Sequence, residues 1–383
     1  MDKAKRNSSL DLLRVLCAVA VVAQHVCSLP TDTILSPCWY VLGLLAKFAV
    51  PCFIMLSGAF TLCNDSYKDW KNIKGKIIYL FKLYLFCTIV FALLYLYNAL
   101  RFTHNYSYII SLAKGFIRGV PVYHLWYIPV IIILYVITPL LIYIKEKSGD
   151  KILLFIAIFF FGLGMLECYV SNIVYSLGAL KYVAYFIMGY LIKKYCKGKN
   201  ILGVSILALD IIFGCVIIFS ITHSYIIYDN VAGAFSYYMI PHSLSIFVAF
   251  SLINVKVQIW LRNTTLYVYL FHPLFLDLLL NKDFSNDIYV NIYLKWALTC
   301  ALSFAFGAVC FLGGQCTDAN IQTGRMRNKR IRYFIDDFYR NAYYFKYKLS
   351  NKEVELCNVS CIIKMVLPHI LVVRHFQTSV QVV

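Results

Sequence analysis

The stretch from Leu10 to Leu29 reads LDLLRVLCAVAVVAQHVCSL. It is apolar and long enough to cross a bilayer as a helix, which takes about 20 residues. Two of its side chains, Arg14 and His25, exceed what a membrane anchor needs. They lie eleven positions apart. On a helix that is roughly 16 Å along the axis and only about 20° off a common stripe. One face therefore offers a guanidinium near one membrane surface and an imidazole well inside. Ionisable groups at membrane depth are costly and point to function by default.

Working outward, the whole chain carries the same signature. Of 383 residues, 61% are hydrophobic and 14% charged, against about 45–50% apolar and about 25% charged in soluble domains. The fold expected is all-α, a polytopic membrane bundle. Its 31 Tyr and 28 Phe suit a chain whose span ends meet the head-group interface. The net charge of +18 would point to nucleic acid in a soluble protein. Here the excess sits in loops, and nucleic acid is not expected as a partner. Cys17, Cys52, Cys87, Cys215, Cys300 and Cys310 fall inside apolar runs, where a thiol behaves as a small hydrophobe. With no C-x-x-C and no zinc-type Cys/His spacing, neither a metal nor a disulfide framework is expected.

Apolar runs give ten candidate spans: 10–29, 39–63, 77–99, 124–144, 152–170, 178–195, 201–221, 236–254, 264–281 and 289–313. Lys3, Lys5 and Arg6 precede the first, as in a signal peptide. That run is too long for one, Arg14 interrupts it, and no A-x-A-like site follows, so a retained helix is expected. With the N-terminus inside, 27 of the 36 Lys and Arg fall in inner segments and 4 in outer ones. The positive-inside rule then places both termini in the cytoplasm. Residues 1–313 read as one transmembrane domain. Residues 314–383 read as a basic cytoplasmic tail in which RMRNKRIRYF could lie against anionic lipid.

Several positions carry two readings. In span 2, Pro51 requires neighbours that re-satisfy a freed carbonyl, and Ser57-Gly58 lets another backbone come close. The loop lysines Lys74 and Lys76, with Lys82, either fix topology or hold a phosphorylated ligand. His124 and Trp126-Tyr127 open span 4 at the outer interface, where an aromatic belt explains Trp and Tyr without function. Glu167 and Lys181 could neutralise each other, whereas Asp210 has no obvious partner. His272, followed by Pro273, is either a hydrogen-bonded kink residue or part of a site. Asp277, five positions on, is about 140° round the helix and does not share its face.

Arg14 is permanently charged and suited to phosphate, and His25 titrates in the range of a general base. A donor with a phosphate-rich head and a long arm into the membrane, such as acyl-coenzyme A, fits that spacing. The plainer alternative pairs Arg14 with Asp11 one turn away and makes His25 a helix–helix hydrogen bond.

The sequence L-D-x-L-R with R-x10-H completed by His25 resembles the start of the acyltransferase-3 family of integral membrane acyltransferases. The resemblance continues through AVPCFIMLSGAF, YHLWYIPVIIILYVITPLL, YFIMGYLI and LYVYLFHPLF, over about residues 8–313. It implies ten spans in a bacterial plasma membrane. It implies an O-acyltransferase moving acetyl from cytoplasmic acyl-CoA, with no permanently bound cofactor, to a hydroxyl of a cell-envelope glycan or lipid-linked precursor. It also implies that His25 is the base and Arg14 holds the site or donor. His124, Trp126 and His272 are secondary candidates on the substrate side, and Lys74, Lys76 and Lys82 on the donor-phosphate side. The partners expected are membrane lipids and the glycan acceptor, and a homo-oligomer stays open. Members often carry R-x-x-R near the start of span 3, where this chain has only those lysines. Relatives with a fused soluble racemase domain need several hundred further residues, for which the tail is too short. The rival class is a transporter of glycans or small polar solutes, to which Asp210, Glu167 and Lys181 would supply a polar path. A third reading is a binding or sensor module with a dead site.

Overall fold

A computed structural model describes residues 8–27, 37–98, 124–170, 178–196, 200–255, 257–280 and 288–323, with a few isolated positions. The N-terminal basic residues, most of the outer loop 100–123 and the tail from 324 lie outside the described residues. Those described form helices and turns with no strand among them. The helices are α1 (Ser8–Cys27), α2 (Pro37–Ala46), α3 (Ala49–Thr61), α4 (Trp70–Asn98), α5 (Tyr127–Ser148) and α6 (Asp150–Tyr169). They continue with α7 (Val183–Tyr195), α8 (Asn200–Thr222), α9 (Tyr228–Ala232), α10 (Met239–Leu252), α11 (Ile259–Leu280) and α12 (Ile288–Thr323). Each of the ten predicted runs carries a helix. Seven stretches are by themselves long and apolar enough to cross a membrane. The runs carried by α7, α10 and α11 are shorter or more polar. The chain divides into two units, Met1–Ala305 and Phe306–Val383. Of the second, only the last part of α12 lies among the described residues.

Burial separates central from peripheral helices in the first unit. The spans of α1 and of α2–α3 are each 61% buried, those of α6 and α8 only 17%. Phe155, Ile158, Ile201 and Leu209 stand exposed along α6 and α8, which is how a helix facing lipid presents itself. The most Arg- and His-rich apolar run in the sequence is thus also at the middle of the bundle.

Span 2 is two helices, not one. The chain turns at Lys47-Phe48, so Pro51 falls in the first turn of α3, where its missing N–H would have had no partner anyway. The interruption frees carbonyls at the end of α2. Gln24 Nε2 of α1 donates to Ala46 O (2.6 Å), and His242 Nε2 of α10 is 3.2 Å from Leu45 O. These are the neighbours that an irregular backbone at membrane depth requires.

Gly58 permits the close approach expected of it. A Cβ there would sit 1.8 Å from Phe186 O of α7, and a Cβ on Gly189 would sit 1.9 Å from Met55 O of α3. The two glycines face each other's backbones, and α3 and α7 form the most extensive helix pair. This crossing sets the positions of Phe60 on α3 and Lys193 on α7, each within about a turn of its glycine.

The segments predicted to share one side gather at one end. Lys145 donates to Leu62 O (3.0 Å) and pairs with Asp65 (2.7 Å). Lys68 pairs with Glu146, and Lys194 with Asp150. At the opposite end Lys181 pairs with Glu167 at 2.8 Å, the mutual neutralisation the sequence allowed.

Candidate functional site

The site is built where α1 and α11 run side by side. At the start of α1, Ser9 Oγ donates to Ile253 O (2.6 Å) and accepts from Val255 N (2.8 Å), just before α11. Farther up α1, Asp11 meets Arg262 of α11, Oδ2 to Nη1 at 3.4 Å. Beyond it, Ala18, Val22 and Val26 pack with Val268 and Leu276. Near the far end of α1, the rings of His25 and His272 stack with centroids 5.0 Å apart and planes 25° from parallel. Contacts that rise together along both sequences make the two helices parallel and in step. Arg14-x10-His25 on one therefore lies beside Arg262-x9-His272 on the other. The result is two polar rungs, one of arginines and one of histidines, about 15 Å apart at 1.5 Å per residue.

In the arginine rung, Asp11 forms ion pairs with an arginine of each helix. Its Oδ1 is 3.7 Å from Arg14 Nη1, while Oδ2 faces Arg262. The plainer sequence reading, Arg14 with Asp11, is therefore present geometrically, joined by a second arginine that sequence reasoning did not single out. The Arg14 guanidinium also lies 5.6 Å from the centre of the Phe60 ring, and the Lys193 ammonium lies 4.1 Å from it. Lys193 also donates to Ala59 O (3.1 Å). The crossing of α3 and α7 thus delivers a third cation to this rung.

In the histidine rung, His272 is fully buried. Its Nδ1 lies 3.1 Å from Val268 O and 2.9 Å from Tyr269 O. Carbonyls only accept, so Nδ1 carries the proton and Nε2 keeps its lone pair. That Nε2 is buried with no hydrogen-bond partner. Pro273 follows inside the helix. His272 thus bonds its own helix backbone, as one sequence reading had it, and also packs in the histidine cluster. His124 lies edge-on to His272 at 5.5 Å. Its Nε2 faces Leu270 O at 3.2 Å, so by the same argument its Nδ1 is the unprotonated nitrogen. His124 is 1% exposed, a buried and hydrogen-bonded residue. His25 is half-buried and keeps part of its surface open. Of the three imidazoles it is the one with surface left to meet a substrate.

Tyr127 links the two rungs. Its ring packs on Tyr269 (5.6 Å) and Phe53 (6.1 Å), while its phenol is within electrostatic reach of Arg14. Tyr269 in turn donates to His124 O. Trp126 takes no part in this cluster and packs on Tyr182. Among the donor-side lysines, Lys74 and Lys82 are exposed and Lys76 is half-buried. The Lys76 ammonium sits 4.0 Å from the centre of the Tyr67 ring and 5.4 Å from that of Tyr135.

Asp210 does have a partner. Both its oxygens face His242 Nδ1, at 3.1 and 2.9 Å, and Ser245 Oγ donates to Oδ1 (2.5 Å). With Nε2 against Leu45 O, both ring nitrogens of His242 meet acceptors. The pair ties α8 and α10 to the break after α2. A cavity of about 230 Å³ beside it is lined by Leu45, Phe48, Ile246 and Phe250 among others, and none of these belongs to either rung. Among the described residues, no three His, Cys, Asp or Glu side chains are placed to share a metal ion, the histidine cluster included.

Comparison with known proteins bears on what this geometry serves. A curated amino-acid racemase of Enterococcus faecalis is 32% identical over 143 residues, covering 36% of this chain and 20% of that protein. The chain thus matches only about a fifth of that relative's length. No solved structure matches. A family model described as an acyltransferase domain matches residues 7–314. That range takes in both rungs and every described helix but the end of α12, so the chain belongs to the acyltransferase-3 family.

Proposed function

We propose that the chain transfers an acyl group, acetyl in the simplest case, from acyl-CoA to a hydroxyl of a cell-envelope glycan or its lipid-linked precursor. The observation that carries this reading is the pairing of His25 with His272, within a chain of the acyltransferase family. The positive-inside count supports an arginine rung at the cytoplasmic end, where acyl-CoA is found. The donor's phosphates would meet cations there, and its long arm would carry the thioester toward the histidine rung.

At that rung His25 takes the proton from the acceptor hydroxyl as the oxygen attacks the thioester carbon. The tetrahedral intermediate then collapses, the C–S bond breaks, and the imidazolium returns its proton to the departing thiolate. Water-poor surroundings favour transfer over hydrolysis. His272 and His124 stay neutral donors to backbone carbonyls and shape the wall against which His25 is held.

The polar-path reading drew on Asp210, Glu167 and Lys181. All three are engaged with protein partners, which favours a structural role for them. The test supplies purified protein with labelled acetyl-CoA and envelope glycan, as parent and His25→Ala. The reading requires acetylated glycan and free CoA from the parent only. Undiminished transfer by the variant would end it, and solute flux without CoA release would favour transport.

A further inference from the structure

We propose that Arg262 is the second guanidinium of an anion clamp formed with Arg14, and that the clamp takes phosphate groups of the acyl-CoA donor. The ligand class rests on the function proposed above; the clamp rests on geometry. Two arginines from helices whose sequences are about 250 positions apart reach opposite oxygens of one carboxylate, at 3.7 and 3.4 Å. The side chains are enclosed without being sealed, Arg14 being 27%, Arg262 13% and Asp11 9% exposed. Lys193 stands against the same Phe60 ring as Arg14. Two cations thus flank one acid, and a third lies against the ring that Arg14 also meets.

The backbone adds to the positive side. Arg262 is in the first turn of α11 and Arg14 in the second turn of α1, and the two helices are parallel. Both N-termini therefore turn positive dipole ends to the same region. Guanidinium forks are suited to bidentate contact with phosphate. Asp11 already shows that a planar, doubly oxygenated anion fits between them. Its carboxylate holds the arginines in register and competes with an incoming phosphate. Arg262 thereby occupies the role that Lys74, Lys76 and Lys82 of α4 would supply only as point charges.

The experiment uses the full chain in phosphatidylcholine nanodiscs, with coenzyme A, pantetheine and inorganic pyrophosphate as probes. Arg262→Gln should weaken coenzyme A and pyrophosphate binding roughly tenfold or more and leave pantetheine binding unchanged. Arg262→Lys should fall between, and Asp11→Asn should tighten pyrophosphate several-fold. A purely structural Asp11–Arg262 contact would make Asp11→Asn weaken binding, which would overturn the clamp. Coenzyme A bound equally by the parent and Arg262→Gln also overturns it, and leaves the donor reading intact. Pyrophosphate bound through Arg262 without any coenzyme A binding keeps the clamp and sinks the acyl-CoA donor. An Arg262 effect seen only as competition with added phosphatidylglycerol gives the clamp to a lipid head group and overturns the donor assignment.

Discussion

His25 and His272 stack ring on ring, 5.0 Å between centroids, from two helices that the same pair of sequences also joins through Asp11 and Arg262. Neither contact is local. Together they set the register of α1 against α11, so that a shift of one residue would rotate both rungs by about 100° and separate each pair.

The register predicts unequal roles for the stacked rings. His25→Ala should lower transfer by roughly 10²–10⁴-fold, the usual contribution of a general base. His272→Phe keeps a flat ring against His25 and removes both nitrogens. It should lower kcat by roughly tenfold and leave KM for acyl-CoA near the parent's. Steady-state kinetics of CoA release with both variants checks the ordering. Equal losses would mean that His272 itself moves the proton.

The glycine crossing predicts a packing defect that reaches the arginine rung. Gly58→Ala and Gly189→Ala each place a methyl group on a backbone carbonyl of the opposing helix, which cannot retreat like a side-chain tip. Overpacking of this kind costs about 1–3 kcal/mol. Thermal unfolding in detergent, followed by a thiol-reactive dye on the buried cysteines, should show a lower Tm for both. Coenzyme A binding should weaken as well, because Phe60 and Lys193 move with the crossing.

The lysines Lys74, Lys76 and Lys82 of α4 should divide by burial. Lys76→Gln should raise KM for acetyl-CoA, since Lys76 is drawn in against Tyr67 and Tyr135. Lys74→Gln and Lys82→Gln, at exposed positions, should stay within about twofold of the parent, the scale of exposed charge effects. A donor titration of the three variants is sufficient.

The Asp210–His242 pair should matter to stability and not to turnover. His242→Ala strands a carboxylate that is 8% exposed, at a cost of about 3–5 kcal/mol. Replacing both residues with leucine should recover much of that loss. The folded fraction of either variant should keep the parent's kcat, measured on detergent-solubilised protein after removal of aggregates.

Much of this architecture was legible in the sequence. The apolar runs predicted the helices, because a bilayer admits little else. Arg14 and His25 stood out because charge in an apolar run is costly, and Gly58 because small residues mark close backbones. Arg262 and His242 did not stand out. Arg262 lay in a loop segment whose basic residues were explained by topology. His242 was one ring in an aromatic-rich span, and its acid lies 32 positions away on another helix. A membrane helix is apolar toward lipid and toward its neighbours alike, so periodicity does not say which face meets which helix. In the sequence span 2 is one uninterrupted apolar run, because Lys47 and Phe48 carry no breaking signal. The turn there depends on Gln24 and His242, which lie elsewhere in the chain.

The parallel pairing of α1 and α11 also bears on biosynthesis. Asp11, Arg14 and His25 leave the ribosome first, yet their counterparts Arg262 and His272 emerge only after some 230 further residues have been made. Until then the opening segment holds its charges without the helix that completes them. A nascent chain halted at Leu252 would carry Arg14 and His25 without either partner, so neither rung forms until translation and insertion have reached the far end of α11.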